Sequence, residues 1–316
     1  MADVVLGADI GGTSTRVAVA DLEGNVISMA TGGPGNPNTV GLAASAAEIR
    51  TVTERALAPV DGLVVSAVIG LAGGSRAAGA PDFLRAAVPD RVDVPARLVG
   101  DLTVAFSSGT PSREGYVVVA GTGAVAGQVV DAELVQQRDG WGWLLGDAGS
   151  GFWLGRAAVR ATLDALQREA PLGPLQHDVL TASGVAGYLE LLQVCYDSPP
   201  TWLAQFSPLV SRHAATDPVA SGIAEGAVSR LEDLVFSLVL QPGGPIVLAG
   251  SVLTTAGPVS AGLRARLARR VNNPVLTSTT GVVGALWLGL GSRVRSSPSV
   301  HGRLVASAGR WLAESR

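Results

Sequence analysis

Residues 8–27 read ADIGGTSTRVAVADLEGNVI, and this stretch decides the fold. Valine-rich runs flank a corner carrying Asp9, Gly11, Gly12, Thr13 and Ser14, and a second turn follows at Glu23–Gly24–Asn25. Such runs, separated by glycine turns, predict three strands at Val4–Ala8, Arg16–Ala20 and Val26–Met29. The pattern returns at residues 115–135, GYVVVAGTGAVAGQVVDAELV, about 110 residues further on. Recurrence of a whole β-turn-β-turn-β unit marks a duplicated domain.

After the first unit comes a Gly/Pro loop, GGPGNPNTVG at 32–41. Leu42, Ala46, Ile49 and Leu57 then recur at near-helical spacing and predict a helix over 40–58. Leu63–Gly70 and Ala96–Gly100 read as apolar strands, with a short helix at 81–88 between them. Beyond the second unit the pattern predicts helices at 151–168, 217–240, 258–270, 281–291 and 300–315. A looser helical stretch falls at 183–196, and strands at Pro245–Gly250 and Pro274–Thr277. Uninterrupted apolar strands alternating with helices predict an α/β fold whose parallel core is covered on both faces.

The bulk numbers narrow the function. A chain of 316 residues, 47% apolar and 16% charged, suits two globular domains. The net charge is −3 with no basic block, so neither nucleic acid nor an anionic membrane is an expected partner. All 23 cationic residues are arginine, which excludes a lysine-bearing P-loop and any catalytic lysine. The single cysteine, Cys195, excludes a disulfide framework or a cysteine-built zinc or iron–sulfur site within the chain. His177, His213 and His301 have no metal-ligand spacing and read as surface or packing residues. With no basic n-region at the start and no apolar run near 18 residues, a cytoplasmic location is expected.

The corner at Gly11–Ser14 leaves backbone amides uncovered, the makings of an anion-binding nest. The hydroxyls of Thr13, Ser14 and Thr15 add possible phosphate contacts. Gly121–Thr122–Gly123 offers the same chemistry from the second unit, although either corner alone is also just a turn. Asp9 beside clustered phosphates would need a cation between them, so Mg²⁺ held through water is one role, and capping its own turn the other. Asp101 stands at the carboxyl end of an apolar strand, where it can act as a general base or simply cap the next helix. In DGWGWLLGDAGS at 139–150, Trp141 can stack on a sugar ring and Asp147 can bond hydroxyls or cap the helix that follows. Trp153 and Phe152 read as core. Gly250 and Ser251 end a strand where a flat ring could approach the backbone.

Together these motifs resemble the sugar kinase/Hsp70/actin superfamily, and more narrowly the N-acetylglucosamine kinase-like members of the BadF/BadG/BcrA/BcrD ATPase family. The likeness runs through D-I-G-G-T-S at 9–14, G-N-P at 35–37, G-D at 100–101, G-T-G-A at 121–124, G-W-G-x-L-L-G-D-A-G-S at 140–150 and L-A-G-S at 248–251. It implies two duplicated actin-like (ribonuclease H-like) domains around a nucleotide cleft, one of residues 1–112 plus about 290–316 and one of 113–289. It also implies ATP-dependent phosphorylation of an amino sugar at O6, with N-acetylglucosamine foremost and glucosamine, N-acetylmuramic acid or another hexose as alternatives. Gly11, Gly12, Thr13, Ser14, Gly121, Thr122 and Gly123 would bind phosphates, Asp9 would hold Mg²⁺ through water, and Gly250 and Ser251 would border the adenosine. Asp101 would be the base, and Asn36, Asp101, Thr122, Gly140, Trp141, Gly142 and Asp147 would bind the sugar. A homodimer is implied as well.

The chain departs from the family where Ala148 replaces a glutamate, and where Ala124 and Val125 stand in place of polar residues; these positions bear on which sugar is taken. Two other functions compete. A radical-dehydratase activator bridges its dimer with a four-cysteine cluster, and Cys195 supplies half of that. A non-catalytic sugar sensor would leave Asp9 and Asp101 without work.

Overall fold

The computed structural model describes residues 2–71, 81–291 and 297–314. The opening meander forms β1 (Ala2–Ile10), β2 (Thr15–Asp21) and β3 (Val26–Gly32), each longer than its predicted core. A short helix, α1 (Pro37–Val40), interrupts the Gly/Pro loop before α2 (Leu42–Leu57). Then follow β4 (Gly62–Leu71), α3 (Pro81–Ala87), β5 (Ala96–Gly100) and α4 (Asp101–Gly109). The first sheet has the order β3-β2-β1-β4-β5. Its two hairpins are antiparallel, and β1–β4 and β4–β5 are parallel.

The second meander gives β6 (Gly115–Ala120), β7 (Ala124–Val130) and β8 (Glu133–Asp139). Helices α5 (Gly151–Gln167), α6 (Pro174–Ser183), α7 (Tyr188–Asp197), α8 (Ser207–His213) and α9 (Pro218–Phe236) come next, with a 3₁₀ turn at Pro200–Phe206. The chain continues through β9 (Ile246–Ala249), α10 (Ser251–Thr254), α11 (Pro258–Arg270), β10 (Val275–Thr277), α12 (Gly281–Leu290) and α13 (Pro298–Glu314). The last residue of the predicted helix 300–315 lies outside the described residues, as do Met1 and part of the 290–316 segment. The second sheet runs β8-β7-β6-β9-β10, the same succession as the first, meander then two later strands. The α/β fold expected from the repeated unit is therefore the fold observed.

The predicted helical stretch at 183–196 needs correction. One helix, α7, occupies most of it but starts only at Tyr188, because Gly184 ends the preceding α6 in the left-handed conformation (φ 72°) and residues 184–187 form the link. Contacts divide the chain into two compact units, Met1–Val117 with Val129–Val135 and Leu276–Arg316, and Val118–Gln128 with Gln136–Val275.

In the first unit, alternation along β1 sends Val4, Leu6, Ala8 and Ile10 to one face, where they pack with Ile49 and Val52 of α2 and Phe83 of α3. Val5 lies on the other face with Val282, Val283 and Leu286 of α12 and Leu304 of α13. Helix α12 lies so close to β1 that a Cβ on Gly7 would stand 2.6 Å from the Leu286 amide. It also crosses α4 with backbones touching, since a Cβ on Gly284 would overlap the Val104 carbonyl and come within 3.0 Å of the Ser108 amide. Gly7 and Asp9 share the α12 face, so the strand's period of two aims Asp9 at the start of that helix.

Candidate active site

The first cluster lies at the carboxyl edge of the first sheet. Register aligns Ile10 with Leu71 and Leu71 with Gly100, so β1, β4 and β5 end side by side. Asp9 and Asp101 therefore rise from one edge, two strands or roughly 10 Å apart in the backbone. Arg16 sits directly opposite Asp9 on β2. Burial pushes the Asp9 carboxyl up to about 6; Arg16 opposes the shift, the Asp101 charge adds to it, and a hydrogen bond from the Gly281 amide opposes it. Asp9 thus does not cap its own turn, which is closed instead by the Gly11 amide donating to the Ser14 carbonyl at 2.9 Å.

Asp101 is the first residue of α4, and Gly100, not Asp101, is its N-cap. The carboxylate accepts from the adjacent Leu102 amide at 3.0 Å. Burial raises its pKa, and the Leu102 amide works against that rise. A helix start tolerates an anion there, so the carboxylate can ionise and still be basic.

Beside Asp9, the β1–β2 corner Gly11–Ser14 exposes Gly12 and Thr13. Among the described residues, the amides of Gly12, Thr13 and Ser14 have no backbone partner, as a nest requires. Thr15 corrects its expectation: it is fully buried with Oγ1 packed beneath Gly35, so its hydroxyl is not open to a ligand at the surface. Asn36 is held beside the corner, since its amide and that of Gly35 both donate to the Gly11 carbonyl at 3.1 Å. Its Oδ1 caps α1 through the Asn38 amide at 2.8 Å. Two residues that the sequence did not single out grip this loop from α2. Ser45 Oγ donates to the Gly35 carbonyl at 2.5 Å, and Glu48 accepts from the Gly33 amide at 2.6 Å.

The second cluster belongs to the second unit. Its corner is closed by the Gly121 amide donating to the Gly123 carbonyl at 2.9 Å, leaving Thr122 exposed. The first amides of α5 join it, Gly151 to the Gly121 carbonyl at 2.7 Å and Phe152 to the Thr122 carbonyl at 3.2 Å. Gly250 (φ 80°) abuts the same corner, because a Cβ there would press on the Ala120 carbonyl and stand 2.8 Å from the Gly121 amide. Ser251 follows as the exposed first residue of α10.

The sugar-loop candidates fold back onto this corner. Asp147 Oδ1 accepts from the Ala124 amide at 2.8 Å, and a Cβ on Gly123 would collide with its carboxylate. Ser150, not Asp147, caps α5 by accepting from the Trp153 amide at 3.1 Å. Burial raises the Asp147 pKa, the Ala124 amide lowers it and the Asp139 charge raises it. Gly140 donates to the Ala124 carbonyl at 3.2 Å, and a Cβ on it would sit 3.0 Å from Val125 Cγ2. Gly142 adopts φ 83°, and Trp141 is 71% exposed, a free ring face on a tied loop. Phe152 is buried as expected, whereas Trp153 is only half-buried.

Two of the histidines have partners away from both clusters. His301 is buried, bonded through Nε2 to the Ser107 carbonyl at 2.9 Å and set edge-on to Trp287, and burial lowers its pKa. His213 pairs with Asp178 at 2.8 Å. Among the described residues no group of three or more His, Cys, Asp or Glu could hold a metal, and no single helix is long and apolar enough to cross a membrane.

Comparison with known proteins places this geometry. The chain is 26% identical to an N-acetyl-D-glucosamine kinase of Dictyostelium discoideum, over 92% of this chain and 99% of that protein. It is 27% identical to an N-acetylmuramic acid/N-acetylglucosamine kinase of Clostridium acetobutylicum, over 62% of this chain and 65% of that protein. A crystal structure of a candidate N-acetylglucosamine kinase from Chromobacterium violaceum superposes with a TM-score of 0.72 at 24% identity, covering 92% of this chain and 99% of the other, and shares its fold. The family model for the BadF/BadG/BcrA/BcrD ATPase family matches residues 6–289, so this chain, with its paired glycine corners, belongs to that family.

Proposed function

We propose that this protein transfers the γ-phosphoryl group of ATP to a hydroxyl of an amino sugar, with N-acetylglucosamine as substrate and O6 as acceptor. The observation that carries the reading is the pair of part-buried carboxylates, Asp9 and Asp101, at one sheet edge beside uncovered amides. The two kinase relatives support the substrate class. In this reading Asp101 accepts the proton of the attacking hydroxyl as the new O–P bond forms and ADP leaves. Burial suits it to that task by bringing its pKa nearer the working pH. The amides of Gly12, Thr13 and Ser14 and the corner Gly121–Gly123 meet phosphate oxygens, with Gly250 and Ser251 bordering the adenosine. Asn36, Thr122, Gly140, Trp141, Gly142 and Asp147 bind the sugar, Trp141 by stacking on its apolar face.

The acids also fit a magnesium ion. Burial and the Asp101 charge both raise the cost of ionising Asp9, a load that a divalent cation offsets, and Mg²⁺ needs only one or two carboxylates when phosphates and water complete its shell. Asp9 would hold it through water, and it would supply charge neutralisation for the phosphates. A cytoplasmic homodimer belongs to the same reading.

The test is ADP release with N-acetylglucosamine, glucosamine, N-acetylmuramic acid and glucose in turn. N-acetylglucosamine is expected to give the highest kcat/KM, and its 6-deoxy analogue none. ADP release that no sugar stimulates would overturn the kinase reading.

A further inference from the structure

The loop from residue 139 to 150 concentrates unfavourable backbone. Asp139 (φ 58°) and Asp147 (φ 60°) are both left-handed without being glycine, and Gly140, Gly142 and Gly149 have φ of 75°, 83° and 87°. Left-handed non-glycine residues cost roughly 1 kcal/mol or more each and persist only where surroundings over-determine them. Besides the bonds to Ala124, what holds this loop is one carboxylate oxygen. Asp139 Oδ1 accepts from the Asp147 amide at 3.1 Å and from the Trp141 amide at 3.3 Å, so it ties both ends of the loop to the end of β8. A Cβ on Gly146 would overlap that same oxygen, which shows how closely the chain wraps around it. Gln137 completes the base by donating to the Asp139 carbonyl at 3.2 Å.

We infer that Asp139 is a positioning residue: it sets the sugar loop by holding the amides of Trp141 and Asp147, and through Asp147 it fixes the loop against the Gly121–Gly123 corner. The inference rests on the proposed function for the meaning of the loop, but the ordering it describes stands apart from any activity. Two bonds converge on one acceptor, the second of them from the residue whose own carboxylate holds the Ala124 amide at 2.8 Å. Loss of the acceptor therefore frees the amides of Trp141 and Asp147 together, leaving Asp147 held to the corner by its carboxylate alone. Asp139 touches the substrate nowhere in this scheme, so its effect falls on sugar binding more than on nucleotide binding.

Three substitutions separate acceptor, charge and backbone. Asp139→Asn keeps an acceptor oxygen and tolerates the left-handed conformation. Asp139→Gly removes the acceptor yet relieves the strain, so folding is preserved. Asp139→Ala removes the acceptor and retains the strain. Hydrogen exchange of the unliganded protein is read on the peptide spanning 140–147, alongside KM for N-acetylglucosamine and for ATP. In Asp139→Gly that peptide is expected to exchange about tenfold faster while β6 and α5 stay protected, and sugar KM to rise about 10- to 30-fold with ATP KM within about threefold. Asp139→Asn is expected to restore protection and sugar KM, and Asp139→Ala to resemble the glycine variant with a lower Tm. Unchanged exchange in Asp139→Gly, or an Asp139→Asn that behaves like it, overturns the inference. A wild type that phosphorylates no sugar defeats the kinase reading instead, and the exchange data still judge Asp139.

Discussion

The amide of Gly281, first residue of α12, hydrogen-bonds the carboxylate of Asp9 at the end of β1, although the two residues stand near opposite ends of the chain. The contact leaves no room for a side chain, since a Cβ on Gly281 would lie 2.5 Å from Asp9 Cγ. Gly281→Ala is therefore expected to displace Asp9, lowering kcat/KM for ATP by about 100-fold and stability by roughly 1–3 kcal/mol. Steady-state kinetics with varied Mg²⁺ and a thermal melt check both parts; wild-type Mg²⁺ dependence would rule the displacement out.

Asp101→Asn keeps the shape and the bond from Leu102 but cannot take a proton. Sugar phosphorylation is expected to fall by about 10²- to 10⁴-fold with ATP affinity nearly unchanged. Calorimetry with a non-hydrolysable ATP analogue, beside the ADP assay, separates the two effects. A variant with full turnover would remove Asp101 from its role as base.

Asp9 makes stability depend on pH in an unusual direction. Its folded pKa of about 6 exceeds the ordinary 3.8, so between those values the folded state keeps a proton that the unfolded chain has lost. Stability contributed by this group is full below the ordinary pKa and is lost as pH rises through about 6, by at most about 3 kcal/mol. Urea denaturation is expected to show Asp9→Asn more stable than wild type near pH 7.5 and nearly equal near pH 3.5. Identical curves at both pH values would contradict the raised pKa.

Gly250→Ala places a methyl group against the corner at Ala120 and Gly121 in a backbone conformation that favours glycine. ATP affinity is expected to weaken about tenfold or more while sugar affinity is spared. Binding of each ligand measured separately decides this; equal losses would point to general unfolding.

The β-turn-β-turn-β repeat was legible because strand period and glycine corners are local signals, and it led to both sheets. Asp9, Asp101 and the corners could be found by their places at strand ends. Asp139 carried a weak signal, an aspartate before glycine, which is a composition that accepts left-handed backbone. Gly281, Ser45 and Glu48 carried none, since their partners are set by packing between distant segments. Thr15 misled because its hydroxyl resembles those of Thr13 and Ser14 in sequence, while the strand's alternation turns it inward. Helices α6 and α8 were missed because they are short, 10 and 7 residues, too few turns for an apolar period to stand out.

The bare crossing of Gly284 over Val104 makes a weld of two helices, one starting at Asp101 and the other bracing Asp9. The span between the two acids is thereby dictated by main chain, which substitution of side chains can hardly retune. Under the kinase reading proposed above, any change in sugar preference would therefore have to come from residues outside this crossing.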